Sequence, residues 1–206
     1  MDEFTDDFSE EFAEEFDDLD LVEELDDLEA RKVENLEDYP ATRVMVEEHR
    51  VIKKAVDVLV NAVKDSIDDE ELYINLAKFF SEYADAIHHG KEEKILFEVL
   101  KKKAPEHVLE IVRALEEDHV KGRELIRKIR ENASSVEKLR DYALAYASML
   151  RDHIVKEDEG LFPAMHPYLS PDEEREISEE FEKLDESKEE LERLVEELGA
   201  RVRSSI

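Results

Sequence analysis

Apolar residues recur along this chain at the three- and four-residue spacing of helices, and caps divide the pattern into segments. Pro40 suits a first helical turn and opens a helix through Ile52, Val56, Leu59 and Val63 that ends near Ser66. A second helix is predicted from about 69 to 102, stopping ahead of Pro105 and carrying Leu72, Leu76, Phe79, Phe80, Tyr83 and Leu96. The third runs from Pro105 to about Asn132 with Val112, Leu115, Gly122 and Ile126 on one face. Ser134 followed by Glu137 reads as a capping box for a fourth, with Leu139, Tyr142, Tyr146, Met149 and Leu150, closed by Gly160 and Pro163. A second capping box, Ser170 with Glu173, opens a fifth helix to about Arg203. In it Ile177, Phe181, Leu184, Leu191, Val195, Leu198 and Val202 alternate spacings of four and three, and Lys188 occupies the one missing place. That heptad seam suits pairing with a second subunit, or folding back on the N-terminal arm or on the preceding helices.

The pattern before Pro40 differs. Phe4, Phe8, Phe12 and Phe16 recur every four residues among nearly continuous Asp and Glu, followed by Leu19, Leu21, Val22, Leu25 and Leu28. Steps of four drift by about 40°, so four phenylalanines share a face about 120° wide. This acidic helical arm reads as a docking helix for a partner groove, as a helix laid on the protein's own bundle or pairing two subunits, or as a segment that like-charge repulsion keeps disordered until something binds. Three regions follow: an arm over 1–40, a helical bundle over 41–169 and a C-terminal amphipathic helix over 170–206.

Charge sharpens this division. The formal net charge is −30. Residues 1–40 hold 19 acidic and 2 basic residues and residues 171–206 hold 14 and 6, so the acidity belongs to the ends. Such a surface repels phosphate backbones and anionic membrane faces, which disfavours nucleic-acid and membrane binding and favours metal cations or basic protein partners. No apolar run approaches the roughly 18 residues of a membrane span, and the acidic N-terminus lacks the features of a secretory signal, so a cytoplasmic location is expected. The absence of cysteine excludes disulfides, thiolate metal sites and cysteine nucleophiles. Any redox chemistry would therefore belong to a metal. No glutamine, few asparagines and abundant Glu, Lys and Arg are a bias of hyperthermophile proteins, so a thermophilic source is expected.

The candidate chemistry lies in four histidines on four helices: His49, His89, His119 and His153. Positions i and i+4 of a helix stand nearly above one another, so His89 with Glu93 and His153 with Glu157 each offer a nitrogen and an oxygen to one point. Any single such pair is ordinarily a solvated contact on a charged helix. Both pairs here are followed by Leu-Phe, at Leu96-Phe97 and Leu161-Phe162. His49 lies three and seven residues before Ile52 and Val56, and His119 sits among apolar neighbours, which places both inward. A carboxylate can bridge two ions held by imidazoles, and inward Glu and His on facing helices build two-metal sites in bundle cores. His88 stands 100° from His89, so the two cannot both aim straight inward, and Glu93 favours His89. His107 and His166, near Pro105 and Pro167, are expected to be bystanders. Tyr83 and Tyr146 read as core tyrosines, with Tyr146 on the face of His153. A ferritin-like site would need two Glu-x-x-His pairs, and Glu116 with His119 is the one plausible member.

The segments Glu48-His49-Arg50, His88-His89-Gly-Lys-Glu-Glu93, Glu117-Asp118-His119 and Asp152-His153-Ile-Val-Lys-Glu157-Asp-Glu-Gly-Leu-Phe162-Pro163 resemble the hemerythrin-like, or HHE cation-binding, family over about residues 41 to 168. The resemblance implies an all-α fold, an up-down four-helix bundle, around a non-haem di-iron centre. It implies His49, His89, Glu93, His119, His153 and Glu157 as ligands of two iron ions, with zinc or manganese compatible with the same donors. Oxygen-carrying members have a histidine four residues after the third-helix histidine, where this chain has Arg123. They use an aspartate five after the last-helix histidine, here Asp158 rather than Glu157. The chain is therefore more similar to the sensor and repair branches. The function implied is binding or sensing of iron, oxygen or nitric oxide, the alternative being a di-iron enzyme or repair factor that consumes nitric oxide or peroxide or donates iron to damaged iron–sulfur clusters. Without a histidine at 123, one iron should keep an open position for oxygen, nitric oxide or peroxide. Partners beyond that small ligand would be a second subunit or a protein met by the terminal helices.

Overall fold

The structure is a computed structural model that describes residues 39–205. The Phe-rich arm expected over 1–40 lies, but for Tyr39 and Pro40, outside the described residues. Among the described residues every regular element is helical. The first, α1, spans Pro40–Lys64 with its proline in the first turn, where the missing N–H has no partner to lose. α2 spans Glu70–Phe79, and the side chain of its N-cap, Asp69, accepts the amide of Leu72 at 3.2 Å. The helix does not stop at Phe79. It continues as a π-helix over Phe80–His89 and again over Glu92–Leu96, then returns to α geometry as α3, Phe97–Lys103. Extended backbone at Ala104 and Pro105 ends it. α4 spans Glu106–Glu131 and α5 Val136–Val155, followed by a third π-helical stretch, Lys156–Leu161, and the short α6, Phe162–Met165.

Two sequence expectations change. The capping box at Ser134 and Glu137 does not form: Ser135 is the N-cap, which moves Glu137 one place too early to reach back, and no side-chain cap bond is made. The fifth helix is not continuous. It divides into α7, Pro171–Phe181, and α8, Lys188–Ser204, with a 3₁₀ turn at Glu182–Leu184 between them. Its capping box is present, with Ser170 accepting the Glu173 amide at 3.3 Å and Glu173 accepting the Ser170 amide at 2.9 Å. No helix among the described residues is long and apolar enough to cross a membrane.

α4 packs along α5, and α1 packs on α5; α7 and α8 both lie on α1, and α8 also on α2. The heptad seam is thereby used within the chain: Ile177, Phe181, Leu191, Val195, Leu198 and Val202 are all buried in its own core. That core has two apolar parts. One holds Ile52, Leu59, Leu76, Phe80, Ile126, Leu150 and Val195; the other holds Met45, Phe97, Leu115, Phe162 and Phe181. Along α1 the change falls between Met45 and Ile52, along the second helical stretch between Ile87 and Leu96, and along α4 between Leu115 and Leu125. A buried polar layer lies at each change. In the broken C-terminal helix the same level coincides with the break between Phe181 and Leu191.

Candidate metal centre

Four helical stretches bring seven buried donors to that layer. His49 comes from α1, His88, His89 and Glu92 from the π-helical part of the second stretch, His119 from α4, and His153 and Glu157 from α5 and its π-helical continuation. They form two groups, His89–Glu92–His119–His153 and His49–His88–Glu157, in each of which one donor atom per residue lies within 4.8 Å of the others. The Nε2 atoms converge, 3.1 Å apart for His49 and His88 and 3.3 Å apart for His119 and His153. Glu157 spans the groups, with one oxygen 2.9 Å from Nε2 of His49 and the other 2.9 Å from Nε2 of His153. Glu92 stands 3.2 Å from Nε2 of His119. His49 is flanked by Phe162 and His119 by Phe97, with rings nearly parallel at 5.9 and 6.1 Å between centroids.

The other ring nitrogen of each histidine faces a different carboxylate. Nδ1 of His49 meets Asp158 at 2.7 Å, that of His88 meets Glu48 at 3.0 Å, and that of His119 meets Glu93 at 2.8 Å. Looser approaches link His89 to Asp85 at 3.5 Å and His153 to Asp118 at 3.6 Å. A carboxylate on Nδ1 fixes the tautomer and leaves the Nε2 lone pair aimed inward, the arrangement by which histidines are oriented on metals.

Electrostatics follow from this packing. Burial works against the imidazolium of His49, yet the hydrogen bond to Asp158 and the charges of Asp158 and Glu157 outweigh it and push its pKa up to about 9. Burial likewise opposes charging of His153, but Glu157 and Asp118 raise it to about 10. Burial tends to raise Glu157, while His153 and His49 pull it well below the usual carboxylate range. His89 has no such help: burial and the neighbouring His119 and His153 hold its pKa well below the ordinary value. Glu92 moves up, because burial and the charge of Glu157 exceed what His119 and His88 offset.

The donors fit cations. Both oxygens of Glu92 and of Glu157, both nitrogens of His89 and Nδ1 of His153 are buried and make no hydrogen bond. Contacts of 2.9 Å between Glu157 and its histidines are therefore close approaches without hydrogen-bond geometry. Buried polar atoms without partners cost about 1–3 kcal/mol each, so a concentration of them in one layer calls for a compensating charge. Imidazole nitrogen with carboxylate oxygen is a donor set suited to iron, zinc or manganese.

The structure brings His49, His89, His119, His153 and Glu157 together, and the layer differs from the candidate set at two positions. Glu92, not Glu93, enters the layer. Glu93 has a side chain 29% exposed and bonds Arg123 at 2.7 Å as well as His119. His88, which the helical wheel set aside, lies in the layer beside His89. The backbone here is π-helical over Phe80–His89 and Glu92–Leu96, so a wheel drawn at 100° per residue does not hold along it. One signal was available, since His88 and Glu92 are themselves four residues apart. Asp158 acts on His49 from outside the layer. His107 is exposed, and His166 stacks on Tyr39 at 3.7 Å and meets Thr42 at 3.1 Å, so neither approaches the centre. Tyr83 is a core residue whose hydroxyl donates to Glu192 at 3.0 Å. The buried hydroxyl of Tyr146 has no hydrogen-bond partner.

A helical core crossed by paired His and Glu donors defines a cation-binding helical protein. The hemerythrin HHE cation binding domain matches residues 41–165 and 110–206, and the chain belongs to this family. No curated protein and no solved structure matches it significantly.

Proposed function

We propose that the chain is a non-haem di-iron protein that binds or senses iron or a diatomic ligand, its four long helical stretches forming the up-down bundle that holds both ions. The observation that carries this is Glu157, which offers one oxygen to the side of His49 and the other to the side of His153, each at 2.9 Å. His89, Glu92, His119 and His153 would hold one ion, and His49, His88 and Glu157 the other, with Glu157 shared. Iron held there would supply a redox-active Lewis acid with exchangeable positions. The chain's residues do the rest. Asp158, Glu48 and Glu93 hold the ring protons of His49, His88 and His119 on Nδ1. His49 and His153, whose pKa values rise to about 9 and 10 among these carboxylates, would have to give up their Nε2 protons for a metal to bind. Phe97 and Phe162 shield the layer from water on one side.

The group built on His49 and His88 has three donors against four in the other, which supports placing an exogenous oxygen, nitric oxide or peroxide molecule there. Elemental analysis of protein saturated with ferrous iron under anaerobic conditions should give two metals per chain, and optical spectra before and after oxygen or nitric oxide should differ reversibly. One metal or none would overturn the reading.

A further inference from the structure

The heptad seam of the C-terminal segment has one polar intruder, Lys188, and the structure shows where it goes. Its ammonium lies 2.8 Å from Oε1 of Glu48, whose carboxylate is fully buried. The same Glu48 oxygen contacts Nζ of Lys91, which is also fully buried, and Lys91 lies 2.6 Å from Asp185. The other oxygen of Glu48 takes Nδ1 of His88 at 3.0 Å. Phe181, the last residue of α7, covers Lys91 with its ring centroid 5.7 Å from Nζ. Two lysines and two carboxylates thus balance one another beneath a histidine of the centre, and one of each sign comes from the break between α7 and α8. Fully buried lysine is rare unless paired, and a half-satisfied buried network is worse than none. The break between the two helices has a physical reason in this light: it sets Asp185 and Lys188 level with the polar layer while α7 and α8 continue into the two apolar parts above and below.

Resting on the two-metal reading, we propose that Glu48, Lys91 and Lys188 are positioning residues for His88, so that docking of the broken C-terminal helix sets the metal affinity of the three-donor half. Glu48 can hold the His88 ring proton, and keep Nε2 aimed 3.1 Å from that of His49, only while its other oxygen is fixed. Lys188 fixes it from the start of α8. Linkage makes the effect reciprocal: if docking favours metal, metal must favour docking.

The test is a cobalt(II) titration of the full chain followed by its visible absorption, with amide hydrogen exchange of residues 182–204 measured in the metal-free and cobalt-loaded forms. Wild type should take up two equivalents, and loading should slow exchange in 182–204. Lys188→Met keeps the stem and removes the ammonium; it should weaken the second equivalent by about tenfold or more, the scale of losing an outer partner of a metal-bound histidine, while sparing the first. Lys188→Arg should restore it. Asp185→Asn, which frees Lys91 from its second carboxylate, should reduce the effect of metal on exchange in 182–204. If wild type binds two equivalents and Lys188→Met binds both as tightly, or exchange in 182–204 ignores metal, the coupling is overturned and the two-metal reading stands. If wild type binds fewer than two, both fall together.

Discussion

Glu92 and Glu93 are neighbours with opposite surroundings, and a substitution series separates their roles. Glu92 is fully buried with both oxygens lacking hydrogen bonds, whereas Glu93 reaches outward to Arg123 and steadies His119 through Nδ1. Glu92→Ala should abolish binding at the four-donor group, and Glu93→Ala should retain two metals with affinity lowered by about 10–100-fold, as for other outer partners. Metal titration with elemental analysis distinguishes these; equal loss from both would return Glu93 to the layer. Much of this site was readable from residue types alone, since His49, His119, His153 and Glu157 stand inward on any helical wheel. The choice between Glu92 and Glu93 was not, because a wheel drawn at 100° per residue fails where the backbone widens into π geometry.

At the scale of elements, α7 completes α1. The carboxylate of Glu174, buried on α7, accepts the backbone amide of Ala41 at 3.0 Å. It thereby satisfies a first-turn donor that the helix cannot satisfy itself. Burial raises the pKa of Glu174, and the bonds from Ala41 and Thr42 offset part of that rise. Glu174→Ala leaves this amide unpaired and should lower the unfolding free energy by about 1–2 kcal/mol without changing metal stoichiometry, as measured by urea denaturation beside elemental analysis. A loss of metal would instead place the α7 contact within the centre's own support. Sequence pattern located α7 and its capping box at Ser170 but not the long-range cap, because Glu174 and Ala41 are distant in the chain and nothing local marks their meeting.

For the whole molecule, the metal-free protein carries its compensating charge as protons. The pKa of His49 rises from 6.5 to about 9 and that of His153 to about 10. Groups raised in the folded state contribute stability that is present in full below pH 6.5 and lost as pH climbs through 9 to 10. Glu157, held low, contributes above its ordinary 4.5 and loses that contribution as pH falls through its depressed value. Thermal unfolding of metal-free protein should thus give a midpoint that is highest near pH 6.5, falls below it because buried His89 resists the proton its unfolded form takes up, and declines toward pH 10. The metal-loaded protein should show little decline over the alkaline range, because bound cations replace those protons. An alkaline decline equal in both forms would show that these histidines are not where metal binds.

The sequence by itself determined the helical class, the order of the helical segments and an inward set of imidazoles and carboxylates, because helical periodicity and residue chemistry are local properties. It also marked Lys188 as a misfit in an apolar seam. Only the tertiary structure decided which carboxylates face one another, that the seam closes on the chain's own core, and that Lys188 ends beside Glu48. Those outcomes depend on π-helical stretches that shift side chains around the axis, and on contacts between residues more than a hundred positions apart. Local spacing carries no information about either.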